Sequence, residues 1–196
     1  MKKKEFKEKY SKKANKKPIK NRKIIDWRWV GSVTVLAFWI SIIFSFFSEG
    51  ITSNANSIIA TIIILLFIGL GIIFDMVGIS ITVADIKTFN SMATKKVKGA
   101  NLAVKLIKNS EKASSFCNDV IGDICGIVSG SAGVALSAIL SSTYHIPIFQ
   151  TTLIITAIIA ATTIGGKAIG KATAINKSTI ILFEFSKILS CFYRGK

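Results

Sequence analysis

Two long stretches of this chain, residues 30–84 and 113–166, contain no lysine or arginine. The residues are not scarce: 26 of the 196 are basic against 10 acidic, a formal net charge of +16. A soluble domain with that charge would spread it over its surface and could attract nucleic acid. Charge confined to separate blocks argues against a nucleic-acid partner and for a membrane protein. Histidine is nearly absent, with His145 alone. The three cysteines, Cys117, Cys125 and Cys191, form no metal-ligand spacing and no secreted disulfide framework. They read as small buried or interfacial residues. No nucleophile–base pair or reducible cofactor site is visible, so the sequence predicts neither an enzyme nor a resident cofactor. The polar lead of 28 residues is long for a signal peptide, and no clean cleavage site follows it.

Half of the chain, 51%, is hydrophobic, and it falls into four runs. These cover residues 30–47, 58–84, about 118–140 and about 147–166. Each is long enough to span as a helix rising about 1.5 Å per residue. Asp26, Trp27, Arg28 and Trp29 flank the first with charges and aromatic anchors. The expected fold is all-α: a polytopic membrane protein with four transmembrane helices and cytoplasmic juxtamembrane amphipathic helices. Residues 1–28 read as a basic, disordered cytoplasmic arm and 29–196 as the helical membrane domain.

Lysine and arginine set the orientation. Residues 1–28 hold 13, residues 85–117 hold 7 and residues 167–196 hold 6, which accounts for all 26. Four spans place these segments on one side, and the positive-inside rule makes it the cytoplasmic side of the cell membrane, with both termini inside. Phe89 and Met92, then Val97, Ala100, Val104 and Ile107, follow three- and four-residue steps, so residues 86–109 read as one or two interfacial helices. Residues 178–192 read as another. The basic segments would face anionic lipid heads, and a cytoplasmic protein partner also fits them.

Polar residues converge on the cytoplasmic ends of three runs. Asp75, Ser80 and Thr82 lie in the second; Asn118, Asp119 and Asp123 open the third; Thr162, Thr163, Gly166 and Lys167 close the fourth. A charge inside a span usually faces the bundle interior or a water-filled cavity. Together they predict an inward-facing polar cavity of hard oxygen ligands, with Asp75, Asn118 and Asp123 as the metal-binding candidates and Mg²⁺ or Na⁺ as the ion bound or transported. Asp119 also reads as a cap at the start of the third helix. Lys167 is expected to compensate Asp75, Asp123 or both. Gly122, Gly126 and Gly130 make a small face that predicts close helix packing, within the monomer or in a homodimer. Gly122 and Gly126 would also ease local unwinding. From Gly165 to Lys171 the chain nearly spells a phosphate-cradling loop, but Ala172 stands where the hydroxyl should be.

The stretches "FDMVGISITVADIKTF", "KGANLAVKLIKNSEK", "CNDVIGD" and "GKAIGKATA" carry a resemblance in their order and spacing. Over about residues 74–189 the chain resembles the transmembrane domain of the cyclin M/CorC family of magnesium-handling proteins. In that family a serine, an asparagine and a glutamate contribute to a Mg²⁺ site. The resemblance places Asp75 near the serine, Asn118 at the asparagine, Gly122 or Asp123 near a second asparagine, and Lys167 at the glutamate, with Gly170 at a family proline. It thus implies a cation-transport or homeostasis protein in which a tethered ammonium replaces an acidic ligand. The alternative is a non-transporting structural or regulatory membrane protein with a degenerate ion site. An extra span precedes the similar region, and no appended nucleotide-binding domains are expected.

The topology has a direct check. An Asn54→Cys variant should be labelled by an impermeant maleimide from outside intact cells, and Lys98→Cys only after permeabilisation. The reverse pattern would end the four-span arrangement.

Overall fold

A computed structural model of the chain describes residues 27–52 and 56–192. Apart from Trp27 and Arg28, the basic arm lies outside the described residues. Among them every regular element is helical: α1 (Trp27–Thr52), α2 (Ser57–Val83), α3 (Ile86–Thr94), α4 (Ala100–Lys108), α5 (Ser110–Ser115), a π-helical stretch (Phe116–Gly122), α6 (Asp123–Tyr144), α7 (Ile148–Asn176) and α8 (Ser178–Phe192). Four helical segments are long and apolar enough to cross a membrane: Trp27–Phe46, Ser57–Val83, Ser110–Tyr144 and Ile148–Asn176. This is an all-α polytopic architecture. Two units, Met1–Thr34 and Val35–Lys196, separate inside α1, and the packing described below belongs to the second.

Most boundaries follow local chemistry. Ala84 is extended, which ends α2, and the Asp85 carboxylate accepts from the Lys87 backbone N–H at 3.0 Å, capping α3. α6 stops at His145, in the left-handed region at φ 56°, and the Ser141 hydroxyl donates to the Ile146 carbonyl at 2.7 Å to close the turn. The lone histidine thus ends a helix. Residues 86–109 resolve into two helices joined by a turn. The third span starts earlier than its apolar run, at Ser110, because polar α5 and the π stretch continue into α6 without a break. The fourth runs ten residues past Gly166. Gly165 to Lys171 therefore lie inside one helix, and the loop that a phosphate-cradling motif needs is not there.

α2 is the spine of two cores. Near its start, Ala60, Ile64 and Ile68 bury against Ala132 and Leu136 of α6 and Ile159 of α7. A hydrogen bond of 2.7 Å between the Ser137 and Thr152 hydroxyls ties α6 to α7. Near its end, Val77, Ile81 and Ala84 bury against Phe89 of α3, Ala103 and Val104 of α4, Cys117 and Leu182 of α8. Phe74 and Phe185 meet edge-on with ring centroids 6.3 Å apart, holding α8 to α2.

Of the three glycines the spacing singled out, only Gly122 is buried against neighbours. Gly126 and Gly130 face open space, with nothing within 4 Å of an added Cβ. Tight contacts lie elsewhere, at Gly133 of α6, which accepts Ile159, and on α7. Gly166 and Gly170, four residues apart, accept Ile72 and Met76 of α2, also four apart; a Cβ on Gly170 would lie 2.9 Å from the Met76 Cγ. Gly170→Val should therefore lower stability by about 1–3 kcal/mol through overpacking. Gly126→Leu should stay within about 0.5 kcal/mol of wild type. Melting curves in detergent check both; the opposite order would place the small face of α6 in the bundle.

Candidate functional site

The polar residues meet where α2 crosses the π stretch. A π turn widens the helix to i→i+5 bonding, is rare, and appears mostly as a single turn inside α-helices, frequently at functional sites. Here it spans Phe116 to Gly122 and carries Cys117, Asn118 and Asp119. α2 presents two glycines to it. A Cβ on Gly71 would lie 3.2 Å from the Cys125 Cβ and 3.5 Å from the Gly122 carbonyl oxygen. On Gly78, one turn beyond Asp75, a Cβ would overlap the Asn118 side-chain amide. The bare glycine Cα is what lets that amide lie flat on the neighbouring helix. The Asn118 Oδ1 is buried there and has no hydrogen-bond partner among the described residues. A buried carbonyl left without a donor costs about 1–3 kcal/mol, a cost that a water, an ion or a turn of the amide would relieve.

Lys167 approaches the same crossing from α7. Its Nζ would lie 3.8 Å from a Cβ on buried Gly122, a point also 3.6 Å from the Cys117 carbonyl oxygen and 3.9 Å from that of Gly71. It reaches the Asp123 carboxylate at 3.9 Å, with side chains 29% and 69% exposed. Among the described residues Lys167 pairs with Asp123 and not with Asp75. An ion pair this long and this open contributes roughly 0–1 kcal/mol, so it does not hold the bundle together. Asp75 is half-buried, a turn after Gly71 and a turn before Gly78, on the α2 face that meets the π stretch.

Other expected members sit elsewhere. Ser80 is fully buried, with its hydroxyl unpartnered, but it follows Gly78 by two residues, about 200° around the helix. It lies on the side of Val77 and Ala84, in the second core that Cys117 of the π stretch also enters. Thr82 is exposed and bonds back to the Ile79 carbonyl at 2.7 Å. Asp119 is no helix cap, because the helix starts nine residues earlier; its carboxylate accepts from the Ser115 hydroxyl. Thr162 and Thr163 bond to the Ile158 and Ile159 carbonyls of their own helix, each at 2.8 Å. Gly166 is occupied by Ile72. The oxygens at the crossing are thus those of Asn118, the half-buried Asp75, backbone carbonyls and, at the rim, Asp123. No three carboxylate, thiol or imidazole groups come together among the described residues. Oxygens of this kind suit hard cations, and they leave such an ion with part of its water.

Gly71 is the residue that spacing arguments passed over. It follows Gly69 in an apolar run, and nothing in the sequence tells which of the two meets another helix. No family model, curated protein or solved structure matches this chain.

Asn118→Ala should be informative in the absence of added ions. It removes a buried carbonyl that has no donor, so stability should fall by less than about 1 kcal/mol or rise. A loss of 3 kcal/mol or more in the melting free energy would mean that Asn118 is held by bonds within the protein.

Proposed function

We propose that this chain binds and passes a metal cation, Mg²⁺ or Na⁺, across the cell membrane, with its lysine-rich ends in the cytoplasm. The observation that carries the reading is the buried, donorless Asn118 oxygen in a π turn, seated on Gly78. The order of motifs shared with the cyclin M/CorC transmembrane domain supports it, and so does the segregation of lysine and arginine. No covalent chemistry is asked of the protein. Asn118 and the nearby carbonyls replace part of the ion's hydration, Asp123 attracts it at the rim, and Lys167 competes for the same carboxylate. A second reading, a non-transporting membrane protein with a degenerate site, draws on one observation: the Lys167 ammonium already stands against Gly122 and Asp123.

Ion flux into proteoliposomes of the purified chain decides between them. Wild type should move Mg²⁺ or Na⁺ and Asn118→Ala should abolish most of that flux; no flux of either ion would leave the non-transporting reading. Melting across a Mg²⁺ titration tests the lysine separately. Lys167→Glu turns a competing cation into an oxygen ligand and should gain more from Mg²⁺ than wild type gains. Equal gains would show that Lys167 does not face the ion.

A further inference from the structure

The turn between α3 and α4 reads Lys95-Lys96-Val97-Lys98-Gly99. Its backbone is specifically bent. Lys96 sits in the left-handed region at φ 55°, where a side chain is strained, and Gly99 is at φ 86°. The Val97 N–H donates to the Met92 carbonyl at 3.1 Å and the Ala100 N–H to the Val97 carbonyl at 3.2 Å. Against Gly99 rests the backbone of α8: an added Cβ would lie 2.9 Å from the Lys187 nitrogen. Three lysines from one segment are thereby set beside a fourth that follows some ninety residues later. Lys95, Lys96, Lys98 and Lys187 are all exposed. Glu184, 3.9 Å from Lys187, is the one carboxylate within ion-pair reach of the four among the described residues. Between these charges stand apolar side chains that are also exposed, Val97 at 36% and Ile188 at 60%.

Placement tells what such a surface meets. α3 begins three residues after the end of α2, and α4 leads through Asn109 into the third spanning helix, so the turn is tethered by two short links to segments that cross the bilayer. Apolar side chains between lysines match the level where acyl chains give way to phosphates: the hydrocarbon enters, and the long lysine stems carry their charges back to the headgroups. Lysine also fits this ligand better than a folded nucleic acid or a phosphopeptide. It offers a mobile point charge, whereas bidentate recognition of a single phosphate favours arginine, and the cluster has none.

We propose that Lys95, Lys96, Lys98 and Lys187, with Val97 and Ile188 among them, form a docking site for anionic phospholipid headgroups. The site is independent of the ion reading. It anchors the α3–α4 turn and α8, which together wall the second core, to the inner leaflet.

The test uses the full chain in neutral detergent micelles, titrated with phosphatidylglycerol or with phosphatidylcholine, reading bound lipid by native mass spectrometry. Phosphatidylglycerol should bind and phosphatidylcholine should not. Lys95→Gln/Lys96→Gln/Lys98→Gln should weaken phosphatidylglycerol binding by roughly 100-fold at low salt, about fivefold per lysine. Ser53→Glu/Asn54→Glu/Ala55→Glu makes the same change in net charge in a connector that holds no lysine or arginine and should leave the binding within a fewfold of wild type. Circular dichroism of both variants confirms that the helices are kept. Equal losses in the two variants would reduce the effect to net charge and overturn the site. Displacement of the lipid by inorganic phosphate or by polyuridylate at comparable concentration would overturn the lipid as its ligand.

Discussion

The close approach of α2 to the π stretch is the contact on which the rest depends. Within a bilayer the hydrophobic effect gives helices little reason to associate, since lipid tails are as apolar as leucine. Van der Waals contact and the hydrogen bonds that small residues allow must do it instead. Gly71 and Gly78 supply that surface on α2, and Gly122 supplies it on the other side. Because the backbones come so near, the Asn118 amide can reach across the interface, and the Lys167 ammonium can reach the same place from α7. A larger residue at Gly78 would push the Asn118 amide aside. The candidate site is therefore a product of the packing that assembles the helices.

Much of this was legible in the sequence. The four apolar runs became four helices long and apolar enough to cross a membrane, and Ser178–Phe192 is helical as expected, because length and hydropathy are properties of contiguous segments. Face was harder to read. Ser80 and Thr82 stand near Asp75 in sequence, yet Ser80 is turned about 140° from it around α2 and Thr82 is exposed and bonds to its own backbone. Gly122, Gly126 and Gly130 keep a regular spacing, but only the first is buried, because which face of α6 meets a neighbour is decided by where α2 and α7 lie. Asn118 lies against Gly78 and Asp123 within reach of Lys167, since polar groups at the end of an apolar run have few inexpensive places to go. The π turn was not legible. It changes the hydrogen-bond step without changing composition, and "FCNDVIG" would pass for an ordinary helical turn.

The two cores divide the work. The one between α2, α6 and α7 is made of alanine, isoleucine and leucine and could sit in any bundle of spanning helices. The one at the other end gathers α3, α4 and α8 around Phe89 and Leu182, both fully buried, and its outer surface carries lysines. The short helices of this second core would be marginal alone, since isolated helices under a dozen residues rarely persist in water. They are held by the end of α2, by the Phe74–Phe185 contact and by Gly99 beneath α8. Asp75 adjoins Phe74, so the polar crossing and the second core share a single turn of α2.

The wide turn also sets the phase of the third spanning segment. A π turn accommodates one residue more than the α-helical ladder needs, so the faces of α5 and of α6 are out of step by about 100°. Asn118 falls within the stretch where that offset is taken up. Loss of any one residue between Ser115 and Asp123 would bring the segment back to a single unbroken register. The helix would be no shorter by more than about 1.5 Å, and its apolar content would hardly change, yet α5 and everything it carries would swing about a third of a turn. In this segment the count of residues, more than their identity, determines whether an asparagine looks at a glycine or at lipid.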